Sequence, residues 1–582
     1  MRHTIRNHLR RSGARAAAAL FCCLAGCVAP DDSNKRFDLG IAPEASPLAG
    51  SAAYKDTIGS LGYFDGMAPL RVRGYGLVIG LGKNGSSDCP RRVYDKLVQS
   101  IYKQHHSISS RVGTREISPE KLIADLDTAV VIVSGDIPPA AVKGSRFDVT
   151  VTALPGTQTK SLAGGRLYTI DLEIFRELPS GISIVGQVYA RASGPLFLNP
   201  FSDDQSATKA NPLEGVIIDG GTAVKDRRLR FVLSQPSYRF ARQVEDRINA
   251  QFTGPRKIAD AVSPSFVQMT VPDEFHEEPG HFLELVRSLY VTRDPQFDAT
   301  RARELAAEIT SPTAPHGSIS LCLEGLGRSA MPVLDELYKH PKDYVSFHAA
   351  VAGIRMGDNI ACDRIALHAA DVASPFRFQA IRALAEARGM GTAALALRRL
   401  LDDSDPRIQI AAYEALVQRG DRTIVSRPVA NDSFVLDRVP TASNKFVYAK
   451  RAGARRIAIF GDGVECVPPV LYRAPDGSVV INAGPQAEEV TILRTVVASG
   501  TTSPPISGPL DLPHLVELLG GEPGMSLDGA ASGLGLDYGS VVRAIYHLCQ
   551  DQAVNAKFML EQPNLSDLFG PSRLEGRAES EL

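Results

Sequence analysis

Beyond residue 27 the chain has no uncharged apolar run of roughly 18 residues or more, which leaves no candidate for a membrane-spanning helix in the remainder. It also lacks an excess of positive charge. The formal net charge is −1, and residues 1–26 carry five arginines and no acid, so the rest holds 59 basic against 65 acidic side chains. Nothing in that balance marks a nucleic-acid partner. Cysteine is scarce and scattered: Cys89, Cys322, Cys362, Cys466 and Cys549 lie far from one another in sequence, which makes neither a zinc site nor a dense disulfide framework.

The signatures of catalysis are thin as well. No Gly-x-Ser-x-Gly elbow is present. Lys83 is followed by Asn84 rather than Ser or Thr, so a phosphate-binding Walker motif fails. Gly80-x-Gly82-x-x-Gly85 has the glycines of a dinucleotide fingerprint, but His105 and His106 stand where the ribose-binding acid belongs. His276 and His281 are spaced i, i+5 across Pro279 and Gly280, whereas two zinc ligands on one helix face need i, i+4, so a solvated loop is expected there. No catalytic, cofactor-binding or metal-binding residue is assigned, and no cofactor is expected.

What is present begins at the amino terminus. Arg2, Arg6, Arg10, Arg11 and Arg15 form a basic region and Ala16 to Ala25 a short apolar one, the pattern of a signal peptide over residues 1–26. Leu24-Ala25-Gly26-Cys27 resembles the lipobox of bacterial lipoproteins, which makes Cys27 the expected lipidated first residue of the mature chain. Acyl chains there, at about 0.8 kcal/mol per buried methylene, would anchor it stably. Val28 follows in place of the aspartate that retains lipoproteins at the inner membrane, which favours the outer membrane. Residues 27–53, rich in Ala, Pro, Ser and Asp, read as a tether.

At 582 residues, several domains are expected. From 54 to 300 the chain alternates as strands do, in Asp148 to Leu154, Leu167 to Phe175 and Ile182 to Tyr189. Helices are expected after Pro90, where Val93, Leu97 and Ile101 share a face, and at Tyr238 to Phe252. From 303 to 425 a repeat takes over: Phe347-x-Ala349-x-x-Ala352, Phe378-x-Ala380-x-x-Ala383 and Ile410-x-Ala412-x-x-Ala415 superpose at nearly equal offsets, each followed by a glycine, Gly357, Gly389 or Gly420. That resembles HEAT-like helical repeats, with Asp402 to Pro406 as a turn between units. Residues 430–500 return to strands, Thr501 to Gly508 reads as a linker, residues 509–562 as helical through Phe558-Met559-Leu560, and residues 563–582 as a tail.

Four stretches then carry a resemblance. Gly74-Tyr75-Gly76-Leu77-Val78-Ile79-Gly80-Leu81 resembles the glycine-rich motif of flagellar P-ring proteins. Pro138 to Val149, with Gly144, Arg146 and Asp148, is similar to a later block of that family. Lys160 to Leu167, with Gly164 and Gly165, and Gly186-Gln187-Val188-Tyr189-Ala190 follow in the family's order. Gly215 to Val224 is similar to the block after these, and Tyr472 to Ile481 and Leu534 to Leu560 resemble later parts of the family more weakly.

The resemblance implies an α+β fold: a mostly antiparallel P-ring-like core with an inserted helical solenoid and a helical carboxy terminus. It implies a non-enzymatic subunit of a homo-oligomeric ring around the flagellar rod in the periplasm. Its neighbours would be rod and L-ring proteins, peptidoglycan and, through the lipid at Cys27, the outer membrane. Gly74, Gly76, Gly80, Gly144, Arg146, Asp148, Gly164, Gly165 and Gly186 are the expected assembly residues, the glycines allowing close backbone approach, with φ > 0 expected at Gly164-Gly165. The alternative is an outer-membrane lipoprotein adaptor that uses the same fold and repeats to bind protein outside any flagellum.

Overall fold

The computed structural model describes residues 52–108, 118–177, 183–198, 211–227, 229–254, 256–276, 279–387, 389–430, 433–474, 477–496, 501–524 and 533–561. The predicted signal peptide, Cys27, nearly all of the tether and the tail 563–582 lie outside the described residues.

The period-two pattern produces a closed barrel. After α1 (Ile58–Leu61) and β1 (Gly62–Asp65) come β2 (Leu70–Ile79), α2 (Arg91–Ile108), α3 (Pro119–Ile123), β3 (Thr128–Ile137), β4 (Arg146–Ala153), β5 (Arg166–Glu177), β6 (Ser183–Pro195) and β7 (Glu214–Ala223). The barrel order is β2-β3-β4-β7-β6-β5, with every pairing antiparallel. Alternate residues point inward: in β4 these are Phe147, Val149, Val151 and Ala153, all buried. The lumen is filled by such side chains, each contributing about 1.5–3 kcal/mol when fully removed from water. On the outer wall the odd register of β2 turns Leu77 away from the lumen, where Val93, Leu97 and Ile101 of α2 cover it. The predicted i, i+4, i+8 face of that helix is its contact with the barrel.

A second antiparallel sheet is built from β1, β8 (Leu229–Leu233), β9 (Ala259–Ser263) and β10 (Phe266–Met269), in the order β1-β8-β10-β9. Helices α4 (Tyr238–Gln251) and α5 (Pro279–Ser288) bury Val244, Ile248, Phe282 and Val286 against it. The loop expected around His276 to His281 is therefore corrected in its second half. His281 sits in α5, opened by Pro279, and its side chain is nearly buried against Glu324. Proline stops a helix from inside but suits its first turn.

Helices follow without a strand: α6 (Pro295–Glu308), α7 (His316–Leu326), α8 (Met331–Leu337), α9 (Asp343–Arg355), α10 (Asn359–Ala370), α11 (Arg377–Glu386), α12 (Gly391–Leu400) and α13 (Pro406–Gln418). The three pattern units fall on α9, α11 and α13, and their alanines are buried in all three, whereas Phe378 is half exposed beside a buried Phe347. Small side chains there let successive helices pack closely. Gly357 and Gly420 follow the caps of α9 and α13 with φ of +86° and +64°, the left-handed conformation that terminates helices, whereas α11 ends earlier, at Glu386, and Gly389 (φ +75°) lies in the turn beyond it. Asp358 and Asp405 cap α10 and α13 through backbone N–H groups of Ile360 and Arg407.

The remaining chain forms two sheets sharing one core. The first comprises β11 (Val425–Val429), β12 (Phe434–Val439), β13 (Phe446–Ala449), β14 (Arg456–Phe460) and β20 (Lys557–Leu560) in the order β11-β12-β14-β13-β20, and it includes two parallel pairings. The second comprises β15 (Val470–Arg473), β16 (Val479–Ala483), β17 (Glu489–Val496), β18 (Thr501–Thr502) and β19 (Ile506–Pro509), with α14 (Leu512–Gly520) and α15 (Tyr538–Gln550) packed on the shared core. Two expectations change here. Thr501 to Gly508 is no linker, since β18 and β19 both pair with β17. Phe558-Met559-Leu560 belongs to strand β20 rather than to a helix, because fully buried β13 presents an open ladder that four extended residues can satisfy.

Within the helical layer the rings of His316 and His348 stack at 5.5 Å, and Phe347 stacks on Phe376 at 4.5 Å. Burial, and then the charges of His316 and Arg355, push the His348 imidazole down to about 3. An unfolded histidine titrates near 6.5, so below that pH the unfolded chain takes up a proton that the folded chain refuses. Stability is expected to be complete above about pH 6.5 and to fall toward pH 3, by at most about 1.4 kcal/mol per unit from this residue. Denaturant titrations at pH 7 and pH 5 measure it, and His348→Gln is expected to flatten the difference. An equal loss in parent and variant would place the titrating group elsewhere.

Candidate assembly surface of the barrel

The residues singled out from the sequence gather at three places on the barrel. Gly74, Gly76, Gly80, Gly164 and Gly165 lie along the seam where β2 meets β5. These strands pair at Val72↔Ile174 and again at Val78↔Leu167, with a register shift between. In that gap a Cβ on Gly74 would stand 2.7 Å from the Asp171 carbonyl oxygen, and one on Gly76 would stand 2.9 Å from Leu167 Cδ1. At the end of the seam the Lys160–Gly165 loop is held by Lys160 N–H donating to Asn84 O (2.8 Å), Leu162 N–H to Pro212 O (2.8 Å) and Leu196 N–H to Gly165 O (3.0 Å). Leu162 is fully buried beneath it.

The two adjacent glycines of that loop act differently. Gly164 has φ +73° with open space around its missing Cβ, so it is the residue that needs left-handed backbone. Gly165 does not have positive φ; a Cβ there would collide with Val78 Cγ1 and lie 2.6 Å from Leu81 Cδ2. The expected backbone requirement at Gly165 is thus corrected to a packing requirement.

The second place holds the Pro138–Val149 block. Gly144 (φ +96°) donates its N–H to Ala223 O at 2.8 Å. Asp148 accepts from Asp219 N–H (2.7 Å) at one oxygen and from Gly453 N–H (3.0 Å) at the other. One carboxylate therefore fixes a bulge of β7 and ties the barrel to the loop before β14. Exposed Arg146 lies close enough to Asp219 to favour its charged form, against burial and the Asp148 charge, which raise that carboxyl. Gly186, the third place, stands in β6 where the register with β5 shifts between Val185 and Val188.

Sequence reasoning missed the arginines that bind these parts together. The Arg227 guanidinium donates to four carbonyls, those of Ile137 (3.0 Å), Pro138 (2.6 Å), Gly66 (3.2 Å) and Ala68 (2.7 Å), and burial lowers its pKa. Arg247 donates to Tyr290 O (2.8 Å), Gln251 Oε1 (2.9 Å) and Gly325 O (3.0 Å), joining α4 to α7, and burial brings it down to about 10. No motif announces such residues, because backbone acceptors leave no mark in sequence. The Gly80 and Gly82 amides are equally occupied: both donate to the Asp127 carboxylate, at 3.3 and 2.5 Å. A carboxylate of the chain itself thus satisfies both amides. Cys549 is distant in sequence from other cysteines but not in space; burial, and then neighbouring Cys466, push its thiol up to about 12.

Comparison with known proteins bears on this barrel directly. Residues 57–299 match the family described as Flagellar P-ring protein. The chain is 31% identical over 261 residues to a flagellar P-ring protein of Bradyrhizobium sp., covering 42% of this chain and 62% of that protein. It is 30% identical over 242 residues to one of Geobacter metallireducens, covering 40% and 60%. With one of Rhodopseudomonas palustris the figures are 31% over 266 residues, 43% and 63%. The chain spans about three-fifths of the length of the curated relatives it matches.

Gly165→Val should force Val78 and Leu81 apart, at a cost of about 1–3 kcal/mol by overpacking. Gly164→Ala should cost about 1 kcal/mol through its φ alone. Thermal unfolding of both variants measures this, and a Gly165→Val protein as stable as the parent would show that the seam is loosely packed.

Proposed function

We propose that the chain, whose residues 57–299 match the flagellar P-ring family, is a structural subunit of the P ring, the bushing around the flagellar rod in the periplasm. The observation that carries this is the family match over the glycine-seamed barrel and its flanking sheet. The role is architectural: the motif residues fix strand closure and tie substructures together, which a subunit needs if many copies are to present the same surfaces. The partners in this reading are further copies of the chain, the rod, the L ring and the surrounding peptidoglycan. The helical layer, which lies almost wholly beyond the matched segment, adds a collar to the barrel.

Electron microscopy of isolated basal bodies carrying a tagged copy tests the assignment. Label is expected in the periplasmic ring, and deletion of the gene is expected to remove that ring and motility together. Basal bodies that are complete and unlabelled would overturn it.

Lipid anchoring at Cys27 belongs to the same reading, supported by Leu24-Ala25-Gly26-Cys27. Cys27→Ser is expected to move the protein from the membrane fraction to the soluble periplasmic fraction with loss of acyl labelling. A variant that still fractionates with detergent and still takes up label would exclude acylation at this residue.

A further inference from the structure

Ala52 and Ala53, the end of the expected tether, belong to the fold. With Tyr54 they make a single 3-10 turn, Ala52–Tyr54. Ala53, Tyr54, Thr57 and Ile58 are buried, while Lys55 and Asp56 between them are exposed. This short segment stops where the match to the P-ring family starts, at residue 57. Backbone bonds fasten its far end to the stretch after α5: Ile58 N–H donates to Leu289 O at 2.8 Å, and Val291 N–H donates to Asp56 O at 3.0 Å.

The turn itself touches both sides of the joint between the P-ring-like region and the helical layer. Tyr290 Oη donates to Ala53 O at 2.7 Å, and Arg301 of α6 donates to that same hydroxyl at 3.1 Å. From α7 the buried Cys322 thiol donates to Ala53 O at 3.7 Å. The Tyr54 hydroxyl bridges two helices: it lies 3.5 Å from Ser288 Oγ at the end of α5 and is hydrogen-bonded to Ser318 of α7. Glu324, against His281, and Gly325, whose carbonyl accepts from Arg247, hold the last turn of α7 to the P-ring side directly. The turn Ala52–Tyr54 adds a hold on Ser318 and Cys322, in the turns before.

We propose that residues 52–57 are a strap that locks the start of the helical layer onto the P-ring-like region. Seated, the strap fills the joint between α5, α6 and α7 and shuts Cys322 from solvent. Withdrawn, it lets α6 and the first turns of α7 part from Tyr290, while the last turn of α7 stays held. The amino-terminal segment thereby governs whether the layer is docked or loosened, and barrel closure is untouched. An opening of this kind breaks only the contacts along the joint, so it lies well below global unfolding in free energy. The strap goes beyond the ring reading and stands without it.

Thiol labelling of the full-length chain carrying Cys27→Ser tests it, with N-ethylmaleimide as the probe and each cysteine read by peptide mass spectrometry. Burial pushes the Cys322 thiol up to about 12, so its labelling in the parent is expected to be slow. Ala53→Glu sets a charge where the side chain is wholly buried, and the strap cannot seat. Cys322 is then expected to react about tenfold faster or more, with faster amide exchange in α6, while Cys466 in the carboxy-terminal core keeps its parent rate. A Cys322 rate equal to the parent's refutes the strap. Should Cys322 and Cys466 rise together, Tyr54→Ala decides, because it removes the bridging ring without burying a charge. Faster Cys322 at the parent Cys466 rate then supports the lock; an unchanged Cys322 rate, or the same joint rise, refutes it.

Discussion

Closure of the barrel between β2 and β5 is the constraint on which the rest of this molecule depends. An open six-stranded sheet would leave two unpaired edges and expose one face of its apolar interior. Closing it brings β2 across β5 at an angle that shifts the register between Val72 and Val78, so the backbones must approach without side chains between them. Gly74 and Gly76 supply that approach, and Gly165 extends it into the loop that seals the barrel end over Leu162. The glycine-rich motifs are therefore conditions for closure within one chain. Any role in contacts between chains acts through the surfaces this closure sets.

The other substructures are bound to the barrel by a few polar side chains that satisfy backbone groups at element ends. Buried carbonyls and amides must find partners, and a planar guanidinium with five donors can serve several at once. Arg227 does this between the barrel and β1, Arg247 between α4 and α7, and Arg419 between the carbonyls of Leu384, Ala387 and Met390 and the following repeat unit. Removing such a residue would orphan several buried acceptors together, so its effect should exceed that of one lost hydrogen bond. Asp148 makes the reciprocal connection, accepting amides from the barrel and from the loop before β14.

How much of this was legible in sequence follows from which interactions leave a periodic trace. The barrel strands, α2 and the helical layer were readable because burial imposes periods of two and about 3.6 on apolar residues, as in Phe147 to Ala153 and in Val93, Leu97 and Ile101. A resemblance to the flagellar P-ring family is readable from ordered motifs, and residues 57–299 match that family. Short strands were not: β18, β19 and β20 are set by open ladders on distant partners, which override weak local preference. Sequence places His281 in a loop because proline breaks a helix from inside, whereas Pro279 stands at a first turn and begins one. The distinct roles of Gly164 and Gly165 needed coordinates, since both a positive φ and a missing Cβ are written with the same letter.

The helical layer is more than an appendage to this closed core, because it is gripped at both ends. At its start α7 packs on α5 and accepts Arg247. At its end Tyr413 of α13 donates to fully buried Asp437 at 2.6 Å, which also holds Arg456 at 2.6 Å, while Asp402 accepts from Ala442 N–H at 2.7 Å. Between these grips Glu324, Arg355 and Glu386 recur at equal intervals, one on each of α7, α9 and α11, and pair in alternating sign. A ladder of this kind has the period of the repeat itself, so it rewards one register of the helix stack and penalises slippage by a unit, which would oppose like charges. The apolar contacts between alanine-lined helices are similar from unit to unit and discriminate register weakly. The charges add the discrimination, and the two anchored ends then hold the stack in one relation to the barrel and the carboxy-terminal sheets.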